Sequence, residues 1–197
     1  MDDKDDDLKL LEKIGQGDES ALVCLMSKHK DPVFRFAYRY LGNSSDSEEV
    51  TEEAFFRVYQ NAPGFKPKAS VKTWIFSIAL NLSRDRLRKR KKSRGEFSYD
   101  QAGDPEEENG SMLELIDSGV RSPVSHTQTS EDSKIIYHCI QELPEKLRVP
   151  FIFCVLEDYT HDECAAILRL SRKAVETRIY RARQALRIKL EDLLQKA

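Results

Sequence analysis

Apolar residues return every three or four positions along most of this chain, with polar residues between them, which is the period of helices rather than strands. Residues 8–14 read as a short helix behind an acidic start, ended by Gly15 and Gly17. Asp18 is a helix N-cap, and Ala21, Leu22 and Leu25 begin a stripe. Asp31-Pro32 reads as a second start, after which Val33, Phe34, Ala37, Tyr38 and Leu41 keep helical spacing. Residues 42–45 form a turn, and Asp46 caps a helix that puts Val50, Ala54 and Val58 on one face with Phe55 beside them. Residues 62–70 are a loop. Ser70 caps a long helix with the stripe Trp74, Ile75, Ile78 and Leu82.

Periodicity then stops. Residues 93–133 read as a flexible linker with one brief helical turn at 111–116. It resumes at Ile135, Ile136, Cys139, Ile140 and Leu143, breaks at Pro144, and continues through Leu147, Phe151, Cys154 and Val155, with Pro150 suited only to a first turn. Two last helices follow, 162–168 and 172 onward, joined by a turn at 169–171. Ala165, Leu168, Leu170, Val175, Ile179 and Leu186 can close a small core between them. The expected fold is all-α, with two small helical domains at 1–92 and 135–197 joined by residues 93–134.

Composition changes this picture through charge. The net charge of −2 conceals blocks of opposite sign. Five aspartates lie in the first seven residues, residues 83–94 hold eight basic residues against Asp85, and residues 95–120 hold eight acids and no base. Residues 169–189 carry eight Lys or Arg and one acid, Glu176. A helix pair whose second member is basic and rigidly presented has the geometry of a helix-turn-helix, whose second helix enters the DNA major groove. The bland alternative is a helical hairpin with a solvated basic face.

Other candidate chemistry is sparse. Glu48, Glu49, Glu52 and Glu53 admit three readings: a solvated face, paired carboxylates, or an acidic docking surface for a basic partner. No histidine or further acid falls at ligand spacing beside them. Cys24, Cys139, Cys154 and Cys164 form no C-x-x-C pair and are expected to be buried free thiols. No nucleophile–base pair, glycine-rich phosphate loop or metal spacing is present, so the chain is not expected to be an enzyme or to need a cofactor. No apolar run approaches about 18 residues and no signal peptide is evident, which points to a cytoplasmic protein without membrane insertion. Phe65, Trp74 and Phe76 are interleaved with Lys66, Lys68 and Lys72, a combination suited to stacking unpaired bases if the rings are exposed. Asn81 and Asp85 follow Trp74 and Ile78 by seven, near the apolar stripe, where polar groups need partners.

These stretches together resemble the extracytoplasmic-function RNA polymerase sigma factors, which carry regions 2 and 4 only. DSEEVTEEAFFRVY at 46–59 is similar to the family's D-A-E-D-x-x-Q-E-x-F-x-x-x-W pattern. VKTWIFSIALNLSRDRLRKRKK at 71–92 is similar to F-x-x-W-L-x-x-I-A-x-N-x-x-x-D-x-x-R-R. LPEKLRVPFIFCVLEDYTHDECAAIL and LSRKAVETRIYRAR resemble the L-P-x-x-x-R segment and the recognition helix. The chain departs from the pattern at Arg169, where the turn usually has glycine, and at Glu176, where lysine is common.

The resemblance implies a promoter-recognition subunit whose partners are core RNA polymerase, through its clamp helices and flap, promoter DNA, and an anti-sigma factor. It implies no small-molecule substrate. Asp46, Glu49, Glu52 and Glu53 fall where the family meets the polymerase. Phe65, Lys66, Lys72, Trp74, Asn81, Arg84 and Arg88 fall at the −10 element. Ser171, Arg172, Lys173, Glu176, Thr177, Arg178 and Arg181 fall at the −35 element. The alternative function is a stand-alone helix-turn-helix regulator on a duplex operator.

Overall fold

The computed structural model describes residues 3–66, 69–93 and 129–194. Among these residues it has no strand. In the N-terminal half, α1 (Asp3–Gly15), α2 (Glu19–Leu41), α3 (Ser44–Asn61) and α4 (Val71–Ser93) pack together, with a 3-10 turn at Ala62–Gly64 before α4. In the C-terminal half, α5 (Thr129–Gln141), α6 (Glu145–Phe151), α7 (His161–Leu168) and α8 (Arg172–Leu194) do the same, with a π-helical turn at Ile152–Leu156 after α6. Of the linker expected at 93–134, residues 94–128, including the brief turn at 111–116, lie outside the described residues.

Local signals explain most boundaries. The Asp18 carboxylate accepts from the backbone N–H groups of Ser20 and Ala21 and caps α2. Gly42 ends α2 with φ 70°, and its N–H donates to the Tyr38 carbonyl. A Cβ at Gly42 would also lie 2.9 Å from the Tyr137 hydroxyl, so a side chain there meets both strain and a clash.

Five expectations need correction. Helix α2 runs unbroken through Pro32, because Leu25, His29, Val33, Phe36, Ala37 and Tyr40 form one buried stripe across it. That burial offsets the roughly 3 kcal/mol an interior proline costs. Asn43, not Asp46, caps α3, its side-chain oxygen accepting from the Asp46 N–H at 2.8 Å. Helix α5 begins at Thr129, within the expected linker, because its first turn is polar and leaves no apolar period to read. Pro150 sits near the end of α6, where the chain widens into the π-helical turn closed by the Glu157 N–H on the Ile152 carbonyl at 3.0 Å. Of the cysteines, Cys139 and Cys164 are buried as expected, Cys154 is half-buried and Cys24 is exposed.

Helix α1 is pinned by a buried polar contact. The Asp7 carboxylate lies 2.7 Å from His29 Nε2 and 2.9 Å from Lys28 Nζ, beside the buried Leu11 and Ile14. Burial pushes the Asp7 carboxyl up, but the hydrogen bonds from His29 and Lys28 outweigh it and hold it below the usual value of 3.8. A depressed carboxylate stabilises the fold above its unfolded value and loses that contribution as pH falls through the folded one. Acidification below about 3.8 is therefore expected to release α1, read as lost amide protection at residues 5–14. Asp7→Asn should weaken α1 docking at neutral pH by about 1–3 kcal/mol and remove this acid step.

The two halves pack against each other. Phe36 of α2 stacks on Phe153 of the π-helical turn, with centroids 4.5 Å apart and planes 11° from parallel. Phe76 of α4 meets Phe153 edge-on at 5.9 Å and Tyr159 at 5.0 Å. Phe36, Phe76 and Phe153 are completely buried. Around them, Arg39 donates to Glu157 at 2.5 Å and to the Leu156 carbonyl, and Tyr137 Oη donates to the Tyr38 carbonyl at 3.0 Å.

Candidate nucleic-acid interface

The helix pair at the C-terminal end is built by its caps. The Thr160 hydroxyl accepts from the Glu163 N–H at 3.2 Å, and the Glu163 carboxylate accepts from the Thr160 N–H at 2.9 Å. This reciprocal box fixes the start of α7. Arg169 ends α7 with φ 56° and ψ 44°, its N–H donating to the Ala165 carbonyl. The turn thus keeps the left-handed conformation that glycine favours, at about 1–2 kcal/mol for a residue with a Cβ. Ser171 Oγ accepts from the Ala174 N–H at 3.2 Å and opens α8.

The core expected between these helices is present. Ala165, Val175, Ile179 and Leu186 are buried, joined by Cys164, Ile167 and Ala182, while Leu168 and Leu170 pack against them. Outward from that core, Ser171, Arg172, Lys173, Glu176, Thr177 and Arg181 are exposed, and Arg178 is half-buried. Arg172 is not free to roam: it donates to Glu176 at 3.0 Å and to Asp162 at 3.1 Å. Glu176 also lies 3.3 Å from His161 Nδ1. The hydrogen bonds from Arg172 and His161 hold its carboxyl below the usual range, so it presents a charged acceptor among cations. Sequence reasoning passed over Tyr180. Its ring is 58% exposed, and it follows Glu176 and Thr177 by four and three, on the same face.

A second surface lies on the N-terminal half. Phe65 and Trp74 pack at 4.7 Å and are each half-buried. Phe76 is completely buried, so it offers no stacking face. Asn81, placed near the apolar stripe by its spacing, is exposed, two turns or about 10 Å along α4 from Trp74. Asp85 is paired with Arg88. Lys66 is exposed. Lys72 lies 3.2 Å from Glu163 and 4.0 Å over the Tyr159 ring, and Arg84 donates to Glu145 at 2.7 Å. Both cations are therefore engaged by the C-terminal half.

The acidic face of α3 divides in two. Asp46 accepts from Arg86 at 2.7 Å and lies 3.4 Å from Arg90, and Glu49 pairs with Arg86 at 2.8 Å, which ties α3 to α4. Glu53 pairs with Arg57 one turn on, and Glu52 is exposed. Between α3 and α4, Glu49, Glu52 and Glu53 border a shallow groove that also holds Phe56, 54% exposed. An apolar ring among carboxylates escaped the periodicity, because Phe56 sits one position outside the buried stripe. Among the described residues no cluster of three or more His, Cys, Asp or Glu could hold a metal ion, and no helix is long and apolar enough to cross a membrane.

Comparison with known proteins covers both halves. Residues 25–93 match the family model Sigma-70 region 2, and residues 133–186 match Sigma-70, region 4. The chain is 31% identical over 185 residues to the ECF RNA polymerase sigma factor SigW of Bacillus subtilis, covering 94% of this chain and 97% of that one. It is 27% identical to the ECF RNA polymerase sigma-E factor of Escherichia coli K12, over 96% of this chain and 97% of that one. In fold it resembles CnrH, solved with the cytosolic domain of CnrY, at a TM-score of 0.69 and 22% identity over 95% and 98% of the two chains. It also resembles RpoE of Bartonella quintana, solved with the anti-sigma factor NepR, at 0.61 and 18% over 84% and 94%.

Proposed function

We infer the contacts of this chain from one premise: it belongs to the extracytoplasmic-function RNA polymerase sigma factors. It binds core RNA polymerase and directs initiation at a specific set of promoters. The observation that carries this is the ordered pair of region 2 and region 4 matches on one chain, joined by a relative that aligns along nearly its whole length. The role is one of binding and DNA opening, with no catalytic group assigned. It places the protein in the cytoplasm with the polymerase.

Residues 1–92 dock on the clamp helices and open the −10 element. Residues 135–197 hold the −35 duplex and meet the flap, and residues 93–134 connect them. Docking falls to Glu52 and Glu53, with Glu49 and Asp46 shaping the same face. On the −35 element, α8 presents Ser171, Arg172, Lys173, Glu176, Thr177, Arg178 and Arg181 to the major groove. Glu176 is suited to accept from a cytosine N4 amine. On the −10 element, Phe65 and Trp74 flank the opened strand, Asn81 reads a polar edge, and Lys66, Lys72, Arg84 and Arg88 follow its phosphates. Extruding a base costs a few kcal/mol, which such a pocket must offset. The likeness in fold to the sigma factor RpoE of Bartonella quintana, solved with the anti-sigma factor NepR, supports control by an anti-sigma factor here too.

The deciding experiment is reconstitution with core polymerase. Formation of a stable complex and of promoter-dependent transcripts is expected; tight operator binding without polymerase and no transcript would favour a stand-alone regulator instead. Two substitutions separate the DNA roles. Asn81→Ala removes an exposed side chain from α4, so it should leave thermal stability and duplex binding unchanged while slowing promoter opening, read by permanganate footprinting. Arg181→Ala should weaken −35 binding by about 1–3 kcal/mol if it contacts a base. If it contacts only phosphate, the loss should be uniform across sequences and should lower the salt slope by about 1.

A further inference from the structure

We propose that Arg172 is a positioning residue and not a base reader. With His161 it tethers one oxygen of Glu176, so that the other carboxylate oxygen decides one base pair of the duplex site and selects cytosine there. This deepens the proposed function and rests on it.

The first observation is how the Glu176 carboxylate is shared. Its Oε1 accepts from Arg172 Nε at 3.0 Å, one turn back along α8, and lies 3.3 Å from His161 Nδ1 at the start of α7. Its Oε2 makes no hydrogen bond among the described residues. Two helices thus hold one oxygen and leave its twin to accept from outside. A glutamate side chain has several rotatable bonds, and tethering it before DNA arrives lowers the ordering cost of binding. The side chain is still 45% exposed, so a base edge can reach it. The same hydrogen bonds keep the carboxyl below the usual range, and an ionised carboxylate only accepts.

The second observation concerns Arg172. An arginine reads guanine by setting two parallel N–H groups on O6 and N7. Here Nε is given to Glu176, and Nη1 donates to Asp162 Oδ2 of α7 at 3.1 Å. Each two-pronged edge of a guanidinium contains Nε or Nη1, so seating on guanine competes with an ion pair. The pairs are exposed and add little stability. What they set is direction.

The choice of base follows from what a pure acceptor meets in the major groove. Guanine shows acceptors at O6 and N7 and thymine shows one at O4, so both repel it. Adenine offers its N6 amine between two acceptors, its own N7 and the thymine O4 across the pair. Cytosine offers its N4 amine with an acceptor on one side only, the guanine O6, and a C–H on the other. The carboxylate therefore prefers cytosine.

The test is selection from a duplex library with a randomised −35 segment, using the full chain assembled with core polymerase. Wild type should enrich cytosine in one column. Glu176→Gln keeps the shape, but its amide both donates and accepts. It should cut the cytosine preference in that column by about five- to ten-fold and leave the others unchanged. Arg172→Ala should relax the same column by about two- to three-fold and add little to Glu176→Gln. Arg172→Lys should recover part of the loss, since lysine can pair with a glutamate one turn away. Both residues are exposed, so these variants should fold as wild type does. Relaxation of a different column by Arg172→Ala would mean that this arginine reads a base itself, and would overturn the proposal. So would a selection in which no column responds to Glu176→Gln. Repeating the selection without polymerase separates the two readings. The same cytosine column from the chain alone, with no transcript from the assembled polymerase, would remove the promoter role and leave the tethered reader standing.

Discussion

Replacing Glu52 and Glu53 together by lysine is expected to abolish assembly with core polymerase while leaving the fold intact. The structure singles out this pair among the acids of α3. Asp46 and Glu49 are engaged by Arg86 and Arg90 of α4, so their charge is partly neutralised within the molecule. Glu52 is exposed, and among the described residues Glu53 has the exposed pair with Arg57. Losing that pair costs about 0.3–0.5 kcal/mol, and glutamate and lysine have similar helix propensity. The midpoint of thermal unfolding should therefore shift by no more than about 2 °C. At an interface, reversing a charge that meets its complement costs at least about 2 kcal/mol, so two reversals should weaken polymerase binding by roughly a thousandfold. Polymerase capture by the double variant at wild-type strength would show that α3 is not the docking face. Reversing Asp46 instead would break α3 from α4 and could not make that distinction.

The helices were largely legible because their stripes bury one face: Val50, Ala54 and Val58, and Val175 and Ile179, lie where their spacing puts them. The misreadings share a cause, which is that local signals lose to tertiary burial. Pro32 is a good helix start in isolation, but the buried row from Leu25 to Tyr40 continues across it. Asp46 is a good N-cap, yet Asn43 takes that role and leaves the Asp46 carboxylate to Arg86. Phe76 looked like a stacking ring among lysines because nothing in the sequence of α4 announces a second layer above it. That layer is Phe153 and Tyr159, some 80 residues away, brought in by a contact between halves that periodicity within one helix does not encode. Arg169 could not be read as a cap from its identity alone. It is held left-handed by the capping box at one end of α7 and Ser171 at the start of α8.

Sequence and structure meet on the charged blocks. The basic run of α4 divides between two sets of carboxylates. Arg86 and Arg90 are tied to α3, while Arg84 reaches across to Glu145. Charge that would bind DNA is thus spoken for in the free chain, partly by the fold and partly by the other half. Salt should accordingly weaken promoter binding and loosen the packed halves at the same time, since both depend on the same cations.

Phe36→Ala should produce the largest loss of stability of any single substitution considered. Phe36 is completely buried and contacts Tyr40, Phe76 and Phe153 at centroid distances of 6.1, 6.0 and 4.5 Å. Truncating a buried phenylalanine costs about 3–5 kcal/mol. At about 2–4 °C per kcal/mol for a chain of this length, the unfolding midpoint should fall by roughly 10–15 °C. Part of that loss belongs to α2 and α4 and is present whether or not the halves pack, so the single variant alone does not test the interface. The cycle of Phe36→Ala, Phe153→Ala and the double variant does. If the rings stack across the halves, the double variant should be less damaged than the sum of the singles by about 0.5–1.5 kcal/mol. Strict additivity would mean that the two rings stabilise separate bodies.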